Sequence, residues 1–336
     1  MPEDGSGFPG HPRLSDSPAG PPTLEVVALG PLPAMTHPAA PFAAAQPVLV
    51  VGPVTWDVFD DRRVAGGAVS YVARLCDALD LEARLLVLGG KDADLSALAG
   101  HEVRRVDADT LTYRHASRDL GGKDRRVLRL EQACGRTLRT GDAPPDWPEP
   151  ATLILAPLMP EDVDVLDFID EHPTSEVALL AQGLQRAVAP DGEQTVMHRA
   201  QPSSVLLDAL RPNVSVFLSR EEVELWPVGA LEHLAARCAR VVVTDGARGA
   251  TVLDRTGART VAAVPLEPAA VADTTGAGDV FASAFILGVR AGELFAGRLA
   301  AAYAAAAVQV VGPAPLPLRS AMEARLSSPP DRGRPS

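Results

Sequence analysis

Six short apolar runs, each the length of one buried strand, are set along this chain with helix-length stretches between them. They lie at 47–52, 84–90, 152–156, 176–180, 214–218 and 240–244. Strands that are apolar throughout, with no polar alternation, must be covered on both faces. Alternation of such strands with helices therefore implies a mainly parallel sheet between two helical layers. Residues 66–79 read as a helix, with Val69, Val72, Ala73 and Cys76 on one face. A second helical stretch lies around 161–171, and 249–253 with 260–264 suggests a hairpin. Residues 101–140 are different in kind. Runs such as Thr110-Leu-Thr-Tyr-Arg114 and Arg125-Arg-Val-Leu-Arg-Leu130 alternate and are rich in Arg and Thr. They predict exposed antiparallel strands, a small lid.

Of 336 residues, 46% are hydrophobic and 22% charged, enough for a sizeable core. Ten of the 31 prolines fall within the first 46 residues. Residues 1–46 are accordingly expected to be a disordered tail, with Met35 a candidate true start. That stretch matches neither a signal peptide nor a transit peptide. The folded domain is expected over 47–315, and the C-terminal segment 316–336 is expected to be disordered at its end. No run is apolar enough to span a membrane. The three cysteines, Cys76, Cys134 and Cys238, form no metal-binding or redox spacing, which fits a cytoplasmic protein. A formal net charge of -12 with only 4% aromatics argues against nucleic acid as a partner. The only lysines are Lys91 and Lys123. Each is followed by Asp, which excludes a Walker A loop, and neither lies in a protein-kinase strand motif.

The chemistry concentrates in Ala272-Asp-Thr-Thr-Gly-Ala-Gly-Asp-Val-Phe281. Apolar residues at helical spacing follow it, so Gly276, Ala277 and Gly278 sit at a helix entry. Backbone amides and the helix dipole there make an anion hole. Asp279, in the first turn, is placed to act as a base, and the helix end is expected to favour its ionised form. Taken alone, Gly276-Ala-Gly-Asp279 is equally what a glycine turn before an acidic helix start would give. The Rossmann fingerprint fits poorly, because its third glycine is missing.

With Asp273-Thr-Thr in front, the whole string resembles the second signature of the PfkB, or ribokinase-like, carbohydrate kinases. The resemblance runs over roughly residues 47–315. It implies an ATP-dependent kinase with a three-layer α/β/α sandwich, a mainly parallel central sheet and a small β lid. Asp279 then matches the catalytic base, and Gly276, Ala277 and Gly278 match the anion hole for the transferred phosphoryl group. Asp273 and Thr275 match positions that in some members help hold a monovalent cation such as K+. Asp57, after the first strand, matches a residue that contacts substrate hydroxyls. Gly66 and Gly67 match a turn that approaches the substrate and hinges the lid. Thr244, Gly246 and Gly249 match the strand and loop that meet the nucleotide.

Two positions depart from the family pattern. Tyr71 stands where an Asn often binds the sugar. The N-x-x-E motif reads Ser219-Arg-Glu-Glu222. Glu222, whose family role is to organise hydrated Mg2+, is retained, while Ser219 keeps an oxygen but loses the amide. Outside this context Asp57 is a solvated loop acid, Gly66-Gly67 a turn before a helix, and 241–249 a strand with a tight turn. The expected partners are ATP, Mg2+ and a small sugar or polyol, with a homodimer compatible. A cyclitol or nucleoside acceptor is the alternative within the family. A non-catalytic binding or regulatory protein on the same fold is the alternative outside it.

Overall fold

The computed structural model describes residues 47–119, 124–190, 192–289 and 292–327. The expected N-terminal tail, 1–46, and the end of the C-terminal segment, 328–336, lie outside the described residues. The first half of the chain runs β1 (Val48–Pro53), β2 (Thr55–Val58), β3 (Arg63–Gly66), α1 (Ala68–Leu79), β4 (Ala83–Gly89), β5 (Glu102–Asp107), β6 (Leu111–Asp119), β7 (Asp124–Gln132) and β8 (Thr152–Leu155). It continues with α2 (Val165–Glu171), β9 (Glu176–Leu180), β10 (Arg186–Val188), β11 (Val196–His198), α3 (Ser204–Asp208), β12 (Val214–Ser219), α4 (Arg220–Val223) and α5 (Ala230–Ala235). The last stretch holds β13 (Arg240–Thr244), β14 (Ala250–Asp254), β15 (Gly257–Val261), α6 (Ala277–Gly288), α7 (Glu293–Ala307) and α8 (Arg319–Ser327).

The apolar runs form the central sheet, in the order β15-β14-β13-β12-β9-β8-β1-β4-β5. From β13 to β5 every pairing is parallel, while β14 and β15 add an antiparallel hairpin at one edge. β1, β8 and most of β9 are buried along their length, as strands covered on both faces must be. α6 is buried from Val280 to Gly288 and packs on β8, β9 and β12, beside α1 and α7. A helix apolar on every side belongs inside the molecule, and α6 is the central helix of its layer. The molecule is thus a three-layer α/β/α sandwich.

A second sheet, in the order β3-β2-β6-β7, makes the lid. β6 and β7 come from the Arg- and Thr-rich stretch, but residues 102–107 of that stretch form β5 at the edge of the main sheet. Two lid strands, β2 and β3, come from residues 55–66, where no strand is legible in the sequence. Short strands with Trp56, Asp57, Arg63 and Gly66 carry no clean period of two, so pairing of β2 with β6 and of β3 with β2 decides their conformation. The β10–β11 hairpin reaches the lid from the body. Leu130 N–H donates to Gln194 O at 2.9 Å, and Arg129 pairs with Glu193 at 2.8 Å. Among the described residues no helix is long and apolar enough to cross a membrane.

Candidate active site

Parallel strands deliver their loops to one edge of the sheet, and ligands of such sheets bind at the carboxyl ends of the strands. At that edge α6 begins. Its N-cap, Gly276, has φ +76° and gives no side-chain cap to the helix. The first-turn amides of Gly278 and Asp279 have no carbonyl a turn earlier to bond, so they remain available to an anion. Ala277 N–H makes only a long 3.4 Å contact with Thr274 O. The Ser283 hydroxyl donates to Asp279 O, holding the first turn.

Asp279 behaves differently from the expectation drawn from the helix end. Burial is the dominant influence and pushes its carboxyl up to about 7. The Arg186 guanidinium works in the opposite direction, and the Glu222 carboxylate raises it further. The helix terminus does not outweigh the loss of hydration in a cleft. A carboxyl poised near 7 still suits a general base working at neutral pH, because both proton uptake and release are then accessible.

Tyr71 joins the two halves of the site. It is 5% exposed, and its ring lies against Gly276. A Cβ at position 276 would fall 2.3 Å from Tyr71 Cε1, so only glycine allows this approach. Burial pushes the Tyr71 phenol well above its usual range, reinforced by the charges of Asp279, Asp273 and Asp57. The hydroxyl therefore stays protonated, a donor set among three carboxylates. Asp57 lies on β2, with Oδ2 2.6 Å from where a Gly66 Cβ would stand, so the carboxylate rests directly over that glycine. Gly67, at φ +93°, turns the chain from β3 into α1, which carries Tyr71.

The remaining expected residues sit around this centre. Ser219 and Thr244 are register partners at the carboxyl ends of β12 and β13. Gly246 and Gly249 bound the turn after β13. Glu222 is 2% exposed. It accepts from Ser219 N–H at 2.9 Å and from Gln182 Nε2 at 3.0 Å. Ser219 and Glu222 thus form a capping box on α4, which accounts for the serine at this place. Asp273 accepts from Thr275 N–H at 2.9 Å, closing a turn just before Gly276. Among the described residues no group of three or more His, Cys, Asp or Glu side chains forms a metal cage. A Mg2+ ion needs none, since it is commonly held by phosphates and water with one or two carboxylates. Glu222, beside Asp279, fits that outer role.

Three residues of the site escape sequence reasoning. Arg186, at the start of β10, is 9% exposed. Its Nη1 donates to Tyr113 Oη at 3.0 Å and to Leu158 O at 3.1 Å, while its Nε has no partner. Tyr113 Oη in turn donates to Leu158 O at 2.9 Å. His115, two residues along β6, places Nε2 2.6 Å from Asp57 Oδ1. No motif marks Arg186 in Gln182-Gly-Leu-Gln-Arg186, and Tyr113 and His115 read simply as lid-strand residues.

Comparison with known proteins gives a consistent picture. Residues 188–319 match the pfkB family carbohydrate kinases. A pyrophosphate-dependent kinase of the ribokinase family, complexed with a pyrophosphate analog and myo-inositol, superimposes with a TM-score of 0.61 at 18% identity, covering 82% of this chain and 99% of that one. Arabidopsis thaliana ribokinase, complexed with ribose and ATP, gives 0.61 at 19% identity, over 85% of this chain and 100% of its own. An adenosine kinase from Sinorhizobium meliloti gives the same TM-score, identity and coverage. None of the curated proteins matches the chain by sequence.

Proposed function

We propose that this chain, ribokinase-like in fold and PfkB-like in its signature, transfers the γ-phosphoryl group of ATP to a hydroxyl of a small sugar or polyol. The carrying observation is Asp279 in the first turn of an uncapped helix, with its carboxyl poised near 7. A base beside free amide donors is what phosphoryl transfer to a hydroxyl requires.

The parts divide by chemistry. Asp57 accepts a hydrogen bond from the acceptor, and the Tyr71 hydroxyl donates one. Asp279 takes the proton from the attacking hydroxyl. The amides at Gly276, Ala277 and Gly278, with that of Asp279, receive the oxygens of the transferred group, and Arg186 adds a positive charge that reaches Asp279. Ser219, Thr244, Gly246 and Gly249 border the donor. Mg2+ bound with the nucleotide would neutralise phosphate charge, and Glu222 is the residue that would hold it through water. Asp273 and Thr275 are the candidate positions for K+.

A cyclitol acceptor is the second reading, favoured by Tyr71. An aromatic ring with one donor suits a carbocycle better than the multiple contacts of an Asn amide. The deciding experiment is product formation over ribose, fructose, myo-inositol and adenosine, each with ATP and with pyrophosphate, with and without Mg2+. The expected result is Mg2+-dependent ADP formation with ATP and at least one sugar or cyclitol, absent in Asp279→Asn. Transfer from pyrophosphate alone would replace the donor assignment. Adenosine as the sole acceptor would replace the acceptor assignment. The absence of any phosphorylated product would leave a binding protein on a kinase fold.

A further inference from the structure

Asp57 is an unusual carboxylate. Its side chain is only 13% exposed, and its sole hydrogen bond among the described residues is to His115. Buried carboxylates ordinarily collect several donors, because an ion stripped of water is costly unless its lone pairs are used. Here one oxygen is held and the other, over Gly66, is left for something else.

The holding residue is itself fixed. β2 and β6 are parallel neighbours, with Asp57 opposite Tyr113. His115 is two residues further along β6, on the same face of the lid, and so reaches Asp57 diagonally. Its ring is stacked on Phe59, with centroids 4.6 Å apart and planes 8° apart. Its side chain is 12% exposed. A carboxylate can only accept, so Nε2 carries the proton in this contact. Phe59 sets the plane of the imidazole, and the imidazole sets the rotation of the carboxylate.

We propose that His115 is a positioning residue for acceptor recognition: it pins Asp57 Oδ1 so that Oδ2 is presented to one acceptor hydroxyl. The inference rests on Asp57 contacting the acceptor, as in the function proposed above. It makes the lid a source of specificity and not merely a cover. Asp57 free to rotate would still attract a hydroxyl but would meet it in many orientations, and the ordering would be lost on every binding event.

The test uses two variants of the full chain. His115→Phe keeps a ring to stack on Phe59 but has no donor. His115→Gln brings an amide N–H to about the place of Nε2. In His115→Phe the KM for the best acceptor should rise about tenfold, the scale of a hydrogen bond to a charged group. The KM for the donor should not move, and kcat should change by less than about threefold. His115→Gln should recover most of the acceptor KM. Calorimetric titration with ribose and with myo-inositol, without donor, should show the same order of affinities. Equal damage in both variants, or a fall in kcat with an unmoved acceptor KM, would overturn the proposal. Should the wild type bind a polyol without transferring phosphate, the kinase reading falls while the affinity order still judges His115. Should it bind neither polyol and phosphorylate no acceptor, both fall.

Discussion

The rim at the start of α6 meets the Tyr71 ring, the lid carries Asp57 whose charge reaches the same tyrosine, and the two regions are built in opposite ways. The rim uses main-chain amides on a helix enclosed by β8, β9, β12, α1 and α7. Its geometry is fixed by packing that no single side chain controls. The lid uses side chains, Asp57 and His115, on a four-stranded sheet. Its links to the body include single contacts, from Leu130 N–H to Gln194 O, from Arg129 to Glu193 and from Tyr113 Oη to Leu158 O. Of these, the Arg129–Glu193 pair is partly exposed and worth little by itself. The difference teaches where each property resides. On the function proposed above, chemistry sits on the enclosed part, where reorganisation is small. On the same proposal, recognition is shared between Tyr71 on α1 and the lid, whose side chains can be exchanged without disturbing the core.

That division can be broken most forcefully at Asp279. Asp279→Asn keeps the volume and loses the base, so kcat should fall by about 10²–10⁴-fold. Binding of donor and acceptor should be nearly unchanged. A variant keeping most of its kcat would take Asp279 out of the mechanism, and with it the assignment of chemistry to the rim.

Gly276→Ala comes next. The backbone there is left-handed, a cost of about 1–3 kcal/mol for a residue with a side chain. The added methyl also meets the Tyr71 ring. We expect a clearly lower melting temperature and a loss of kcat. Pairing it with Tyr71→Ala should return only the part due to the overlap. Full recovery in the double variant would show that the left-handed conformation does not matter.

The poise of Asp279 gives a smaller, graded effect. A base must be unprotonated to act, so kcat/KM should climb as pH rises through about 7 and level above it. Stability should move the other way. The folded pKa is raised above its unfolded value, so this group's contribution is full below about pH 4 and is lost as pH rises through about 7. Asp279→Asn should therefore melt above the wild type at pH 8 and match it near pH 4. Equal melting at pH 8 would place the carboxylate in a fully hydrated site.

The smallest expected change is in Tyr71→Phe. Removing one hydroxyl should raise acceptor KM by about two- to tenfold, the value of a hydrogen bond of about 0.5–1.5 kcal/mol. The ring against Gly276 stays, so melting should not move. An unchanged KM would make Tyr71 a packing residue only and shift recognition wholly onto the lid.

The same two regions differ in how far the chain discloses them. The rim is written in consecutive residues, Asp273 to Asp279, because a helix terminus is a local structure whose glycines and first-turn acid have local causes. The apolar strands are equally plain, since burial on both faces leaves a composition signal. The lid is legible only in part. β6 and β7 alternate visibly, whereas β2 is a strand because β6 lies beside it and β3 because it pairs with β2, and nothing in 55–66 alone requires it. His115 meets Asp57 across 58 residues of chain, and Arg186 meets Tyr113 across 73. Such contacts exist only after folding. The sign of the Asp279 shift is hidden for the same reason, because it depends on how much water the finished cleft excludes.

The ring of Tyr71 pressed on the bare backbone of Gly276 has a consequence for descent. On the function proposed above, the residue beside the acceptor, Tyr71, and a residue of the anion hole, Gly276, occupy one shared space. Position 276 cannot gain a side chain while the ring at 71 stays. A lineage could admit a side chain at 276 only after 71 had shrunk, and the reverse order would pass through a damaged protein. Gaining a side chain at 276 is therefore a path with a fixed first step, and that step is taken on α1.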